Sequence, residues 1–286
     1  MFKKLSLILL AFVLIISCGQ KQTATEGSGL TLNSVINVQD LPYAGPITIK
    51  QSQMFSGNVM RSTISSSVNL GGETQELSSV FLINLEDGAI YIINDAKAQY
   101  MRLTLEEFNR MMAMNRAMND SLAPDLKLSL DKIERAEGEN KEIGTFGMCL
   151  PVDFDLKLTS ASMPDYSSSL KGRMWLSESL TNGNLFMEFQ KKSSVMMESA
   201  VASNTIFFGL AGVFDMNEDI MARLNSAISG IPVDAQFEIT MPNGTSSITF
   251  GISQTLTDYN TADIDPGLME VPADYVQVSQ EEFMQF

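Results

Sequence analysis

The sequence predicts an α+β protein: a curved antiparallel β-sheet with helices packed on its concave face. Three observations carry this. Many short segments alternate apolar and polar residues with the period of a strand, as where Val152, Phe154, Leu156 and Leu158 interleave with Asp153, Asp155 and Lys157. Turn signals sit between such segments, among them Glu86-Asp87-Gly88 and Pro242-Asn243-Gly244. Apolar residues recur at helical spacing from Thr104 to Met118 and again from Asn217 to Ile228.

Taken in order, the chain opens with Met1-Phe2-Lys3-Lys4 and an apolar run, Leu5 to Ile16. The run is shorter than the ~20 residues that a bilayer-spanning helix needs, and it has the layout of an export signal. Ile15-Ile16-Ser17-Cys18 has the form of a lipobox, so residues 1–17 are expected to be a signal peptide and Cys18 an acylated N-terminus. More than one acyl chain on that residue gives firm membrane anchoring. Residues 18–43 are rich in Gln, Thr, Ser and Gly and read as a flexible tether. Residues 44–278 are expected to form one domain, and 279–286 a tail or short helix.

Within the domain, strands are expected at Ile47–Lys50, Asn58–Ser65, Val80–Leu85, Ala89–Ile93 and Gln99–Leu103. Thr104 and Glu107 have the spacing of a capping box. The helix they start carries Leu105, Phe108, Met111, Met112 and Met118 as an apolar stripe. Strands resume at Val152–Leu158, Arg173–Leu176 and Leu185–Phe189, the last two joined through Asn182-Gly183. Ser193 to Val213 reads as a buried helix, since Glu198 and Asn204 interrupt it. A further helix runs from Asn217, with Ile220, Met221, Leu224 and Ile228 on one side and Gly230 and Pro232 ending it. In the last hairpin, Phe237, Ile239 and Met241 are expected to face Ile248, Phe250 and Ile252.

Composition narrows the function. There are 19 basic and 34 acidic side chains; removing residues 1–17 takes away Lys3 and Lys4, leaving 17 against 34 and a net charge of −17. Such a chain is not expected to bind nucleic acid or anionic headgroups through charge. There is no histidine, which removes Ser-His-Asp and Cys-His hydrolases and most zinc enzymes. With Cys18 acylated, Cys149 is the remaining cysteine, read as a small buried apolar residue. No enzymatic activity, catalytic residue, metal or cofactor is expected. Asp215-x-Asn217-x-Asp219 imitates the start of a calcium loop but lacks the following glycine and the distal glutamate, and reads as a helix start.

Several segments occur in a familiar order: Ile90–Asp95 with Gln99-Tyr100-Met101, Lys141–Cys149, Met174-Trp175-Leu176, and the closing Glu270–Tyr275. Across residues 45–278 they resemble a bacterial envelope lipoprotein family, a domain of unknown function common in Bacteroidetes. That family is similar to the LolA-like half-barrels that carry lipoproteins to the outer membrane. The resemblance implies a curved sheet wrapped around helices with an apolar cavity between them, and a place at the outer membrane facing the periplasm. It implies no catalytic residues.

The expected ligand-lining residues are Phe108, Met111, Met112, Trp175, Phe207, Phe208, Met221, Phe237 and Phe250. Methionine adapts to irregular apolar shapes and suits a flexible acyl chain. The same residues would equally fill a solid core. Asp120-Ser121-Leu122 matches a short bacterial O-glycosylation sequon, making Ser121 a candidate acceptor. Two functions are therefore expected of the lipid-anchored protein: binding or carrying a lipid or other hydrophobic ligand, or docking a protein partner as a structural lipoprotein with a filled core.

Overall fold

The structure is a computed structural model of the 286-residue chain, and it describes residues 29–40, 45–70, 73–122, 126–136, 138–160, 167–196, 223, 226–243 and 246–283. Thirteen strands form one sheet. They are β1 (Leu30–Gln39), β2 (Ile47–Ser56), β3 (Val59–Leu70), β4 (Glu73–Asn84), β5 (Ala89–Asn94), β6 (Gln99–Thr104), β7 (Leu126–Arg135), β8 (Lys141–Glu142), β9 (Met148–Ser160), β10 (Ser167–Ser177), β11 (Ile231–Asn243), β12 (Ser246–Asn260) and β13 (Val276–Gln277). The spatial order is β13-β6-β5-β4-β3-β2-β1-β12-β11-β10-β9-β7, with β8 beside β9. Only β13 on β6 is a parallel pairing among the described residues. Helices among the described residues include α1 (Leu105–Leu122), α2 (Gly183–Met196) and the single turn α3 (Gln280–Phe283), and Arg223, Ser226 and Ala227 are also helical.

This corrects the expected α+β half-barrel. The protein is sheet-dominated, its sheet is mixed and open with β13 and β7 at the two ends, and the described helices are few and short. The physical reason lies in strands whose outward positions are Ser, Thr, Asn or Gln. Backbone pairing does not depend on those side chains. β1 is the clearest case: the segment expected as tether alternates buried and half-buried residues from Leu30 to Gln39 and lies between β2 and β12. The polar halves of β3 and β4 extend the sheet in the same way, and β7 adds an end strand whose outward residues are largely charged. Leu185–Phe189, expected as a strand, lies inside α2.

Other expectations correspond closely. The capping box forms as read: Thr104 N and Oγ1 both donate to Glu107 Oε2 (2.8 and 2.9 Å), and Glu107 N donates to Thr104 Oγ1 (3.1 Å). The backbone bond from Thr104 also holds the Glu107 carboxyl below the usual range. In the β4–β5 hairpin, Gly88 takes φ 58°, a left-handed conformation that suits glycine. Asn84 Oδ1 accepts from the amides of Glu86 and Asp87 there. The final hairpin has the expected register, with Phe237 opposite Ile252, Ile239 opposite Phe250 and Met241 opposite Ile248.

Pairing carries one face across the whole sheet. Ile83 stands opposite Ile90, Ser62 opposite Phe81, Gln51 opposite Ile64 and Ile36 opposite Ile49. In the other direction Val38 meets Ile252, and Leu170 meets both Ile239 and Leu156. These residues make up the buried, inner side of the sheet, apart from half-buried Ile252. The opposite side of β7, β9 and β10 is charged. Asp153 accepts from Arg173 Nε (2.6 Å), Arg173 Nη2 (3.1 Å) and Lys132 Nζ (3.0 Å). Lys171 pairs with Asp155 (3.1 Å), and Lys157 with Asp131. Arg173 foremost, then Lys132, holds the Asp153 carboxyl below its ordinary range. Each such cross-strand pair contributes well under a few kcal/mol and mainly reinforces register. A membrane-spanning barrel has the reverse pattern, apolar outward and polar inward.

Gly172 shows how tightly the inner face is packed. It lies between Phe154 and Phe237, whose rings meet edge to face at 5.9 Å. A Cβ there would stand 2.1 Å from the Gln236 carbonyl oxygen and 2.6 Å from the Phe237 ring. Backbone cannot yield as a flexible side chain can. Gly172→Ala is expected to lower stability by about 1–3 kcal/mol in urea unfolding, through overpacking. An unchanged midpoint would show that β10 and β11 do not approach this closely.

Candidate functional site

The inner face is not uniformly apolar. At one end, Leu30, Phe55, Met60, Ile83, Ile90 and Leu105 form a cluster; towards the other end, Ile36, Ile49, Ile64, Phe81, Phe237 and Phe250 belong to a second. Between them, across three adjacent strands, lie Ser34 of β1, Gln51 and Gln53 of β2 and Ser62 of β3. All four are buried, between 0% and 7% exposed. Ser34 stands directly opposite Gln51, and Gln53 opposite Ser62. Gln51 Nε2 donates to Ser62 Oγ (3.2 Å), while Gln53 Nε2 has the Met60 sulfur at 4.0 Å. These four residues make a polar seam through an apolar interior.

Helix α2 contacts β1 and β2, and its Leu185, Phe186 and Phe189 belong to the first of the two clusters. Phe186 and Phe189 set their rings against Phe55 at 5.1 and 5.7 Å, both near edge to face. At its start, Asn182 Nδ2 donates to the Gly29 carbonyl (3.3 Å). Near its end, Lys192 Nζ reaches Asn58 Oδ1 (2.6 Å) and the Met196 carbonyl accepts from Asn109 of α1 (3.4 Å). One turn after Phe186 comes Gln190, and three residues later Ser193, both on the same buried helix face. The Ser193 hydroxyl donates to the Gln190 backbone carbonyl (2.9 Å). The Gln190 side chain is 0% exposed, and neither its amide oxygen nor its amide nitrogen has a hydrogen-bond partner. Burying an amide without partners costs roughly 1–3 kcal/mol. Asn109 Oδ1, Asp155 Oδ1 and Asn184 Nδ2 are also buried without a partner, but Gln190 is the one side chain of these with both polar atoms unmet, and it calls for water or another polar group beside it.

The residues expected to line a ligand site divide. Phe237 and Phe250 are buried on the inner face. Phe108 is half-buried and packs against both clusters, and Met111 follows it half-buried on α1. Trp175 is half-buried and packs against the first cluster, while the pleat sets it opposite Met174 with Lys141 Nζ 3.9 Å from its ring centre and Arg173 at 5.8 Å. Phe207, Phe208, Met221 and Cys18 lie outside the described residues, as does the acidic triplet 215–219. Met112 and Ser121 are on α1, but their side chains are likewise outside the description.

Cys149 is fully buried, and burial pushes its thiol above the ordinary range, a shift that Lys141 partly opposes. It is therefore a thiol and a poor nucleophile at neutral pH. Among the described residues no group of acidic or cysteine side chains is placed to hold a metal ion, and no helix is long and apolar enough to cross a membrane.

The seam was not anticipated from sequence, although a signal was present. Ile47, Ile49, Gln51, Gln53 and Phe55 share one parity on β2, so the two glutamines had to face inward if the isoleucines did. Gln190 follows only once Leu185–Phe189 is read as helix.

No family model matches the chain, and no curated protein matches it. Among solved structures, a porin-like protein from Bacteroides uniformis is similar at 8% identity and a TM-score of 0.27, covering 84% of this chain and 100% of its own.

Gln190→Met keeps length and volume but removes the unpartnered amide. In the ligand-free protein it is expected to raise stability by about 1–3 kcal/mol, measured by denaturant unfolding. A loss of stability would mean that the amide is satisfied in solution, by water or by protein.

Proposed function

We propose that this is a lipid-anchored protein of the bacterial cell envelope that shelters an amphiphilic lipid, without catalysing a reaction on it. The anchor would be Cys18, on the strength of the lipobox Ile15-Ile16-Ser17-Cys18 behind a basic and then apolar leader. A place at the outer membrane, facing the periplasm, belongs to the same proposal. The ligand reading is carried by one observation: an apolar interior that contains a fully buried glutamine with neither amide atom paired. Ligand sites are typically apolar surfaces with a few polar groups placed to orient the guest. Phe108, Phe237 and Phe250 would contact the acyl portion, and the seam with Gln190 the polar portion. The acidic balance and the charged outer side keep the domain soluble beside the membrane and offer anionic lipid surfaces no attraction.

Both halves are tested on the full chain expressed in bacterial cells with labelled palmitate. Wild type is expected to take up the label and sediment with membranes, whereas Cys18→Ser takes up none. After affinity purification and organic extraction, wild type is expected to release lipid in about equimolar amount. An unlabelled wild type would end the anchor, and a lipid-free protein would turn the search towards a protein partner.

A further inference from the structure

Which amphiphile fits is written in the charge of the interior, and this inference rests on the ligand reading above. Every buried polar residue of the described chain is neutral: Ser34, Gln51, Gln53, Ser62, Ser160, Ser177, Gln190 and Ser193. Lysine, arginine, aspartate and glutamate are absent from that group, although the chain carries 53 of them, 19 basic and 34 acidic. Cations bonded at the rim of the inner cluster are engaged there: Arg135 with Glu178 and the Ala227 carbonyl, and Arg223 with the Leu130 carbonyl.

An ionised phosphate or carboxylate drawn to the seam would have neutral dipoles alone to replace its hydration. Burial of an unpaired charge is far more costly than burial of a hydrogen-bonded neutral group. The unpartnered amide on α2 is also of a particular kind. A primary amide offers two N–H donors and a carbonyl acceptor on one planar end. A carboxylate or a phosphodiester accepts bonds but cannot donate, so it would leave the Gln190 oxygen unmet. A hydroxyl or an amide both donates and accepts and satisfies the two sides of Gln190 together. The hydroxyls of Ser62 and Ser34 and the second glutamine of β2 extend the same donor and acceptor character across the seam.

We infer that the protein selects an uncharged amphiphile, with an acyl chain against the phenylalanine-lined clusters and a hydroxyl- or amide-bearing head at Gln190 and the Gln51–Ser62 seam. An ester of glycerol is the simplest member of that class. Anionic phospholipids and free fatty acids would be discriminated against.

The test uses the full chain carrying Cys18→Ser, with displacement of the apolar fluorophore N-phenyl-naphthylamine as readout. Monooleoylglycerol is compared with oleate and with dioleoyl phosphatidylglycerol at pH 8. Monooleoylglycerol is expected to displace the fluorophore at about tenfold lower concentration than either anion, the equivalent of one lost hydrogen-bonding interaction or more. In Gln190→Met that preference, with each lipid's displacement referred to the fluorophore's own affinity for the variant, is expected to shrink at least about threefold. Oleate or phosphatidylglycerol matching monooleoylglycerol would overturn the inference and leave the ligand site standing. An unchanged preference in Gln190→Met would overturn the role of that residue. No binding of the fluorophore or of any lipid would remove the ligand site, and the inference with it.

Discussion

Side chains on a strand alternate between two faces, and in a sheet this wide the alternation propagates through every register. Ile36 opposite Ile49, Ser62 opposite Phe81 and Leu170 opposite Leu156 are separate pairings, yet each places its residues on the same side. A slip of one residue at β1 would turn Ile36 and Val38 out and bring Asn37 in. The register is thus held by burial on the inner side, and on the other by pairs such as Asp153 with Arg173 and Asp155 with Lys171 and, at β4 and β5, by a smaller buried cluster of Val80, Leu82 and Ile93. Everything that can act as an interior site, including its cover by α2, depends on this alternation.

Against that background the polar seam is informative because it lowers stability. Gln51 bonds to Ser62 within the seam, whereas a hydrophobic residue at Gln190 would keep that helix face buried with no unpaired amide. Residues that work against the fold's own stability concentrate where a protein binds something. On the sheet Phe55, two residues beyond Gln53, receives the edges of Phe186 and Phe189, and Gln190 follows Phe189 on the same helix.

Much of the local structure was legible in the sequence, for identifiable reasons. The capping box at Thr104 and Glu107, the glycine of the β4–β5 turn and the register of the β11–β12 hairpin are each set by a few neighbouring residues. Larger features were not. β1 reads as a linker because Thr31, Asn33, Ser34 and Asn37 dilute its apolar residues; only pairing on both sides makes it a central strand. Leu185–Phe189 fits a strand over five residues and a helix over fourteen, and packing on Phe55 settles it as helix. The balance of sheet to helix was misjudged for the same reason, since polar-faced strands are silent to a search for hydrophobic period. Of the expected site residues, Phe237 and Phe250 follow from parity, whereas Trp175 has the other parity and packs instead against the first cluster beside Lys141. The glutamines were passed over because polarity reads as exposure.

The central claim, that the buried amide of Gln190 awaits the head of an uncharged lipid, is tested most directly by electron density. A crystal structure of the protein purified from bacterial cells without added lipid would show what stands beside that side chain. The account predicts elongated density along the Phe237 and Phe250 side of the interior, ending within hydrogen-bonding distance of both Gln190 amide atoms. Protein atoms or ordered waters on both of them, with the interior closely packed, would contradict it.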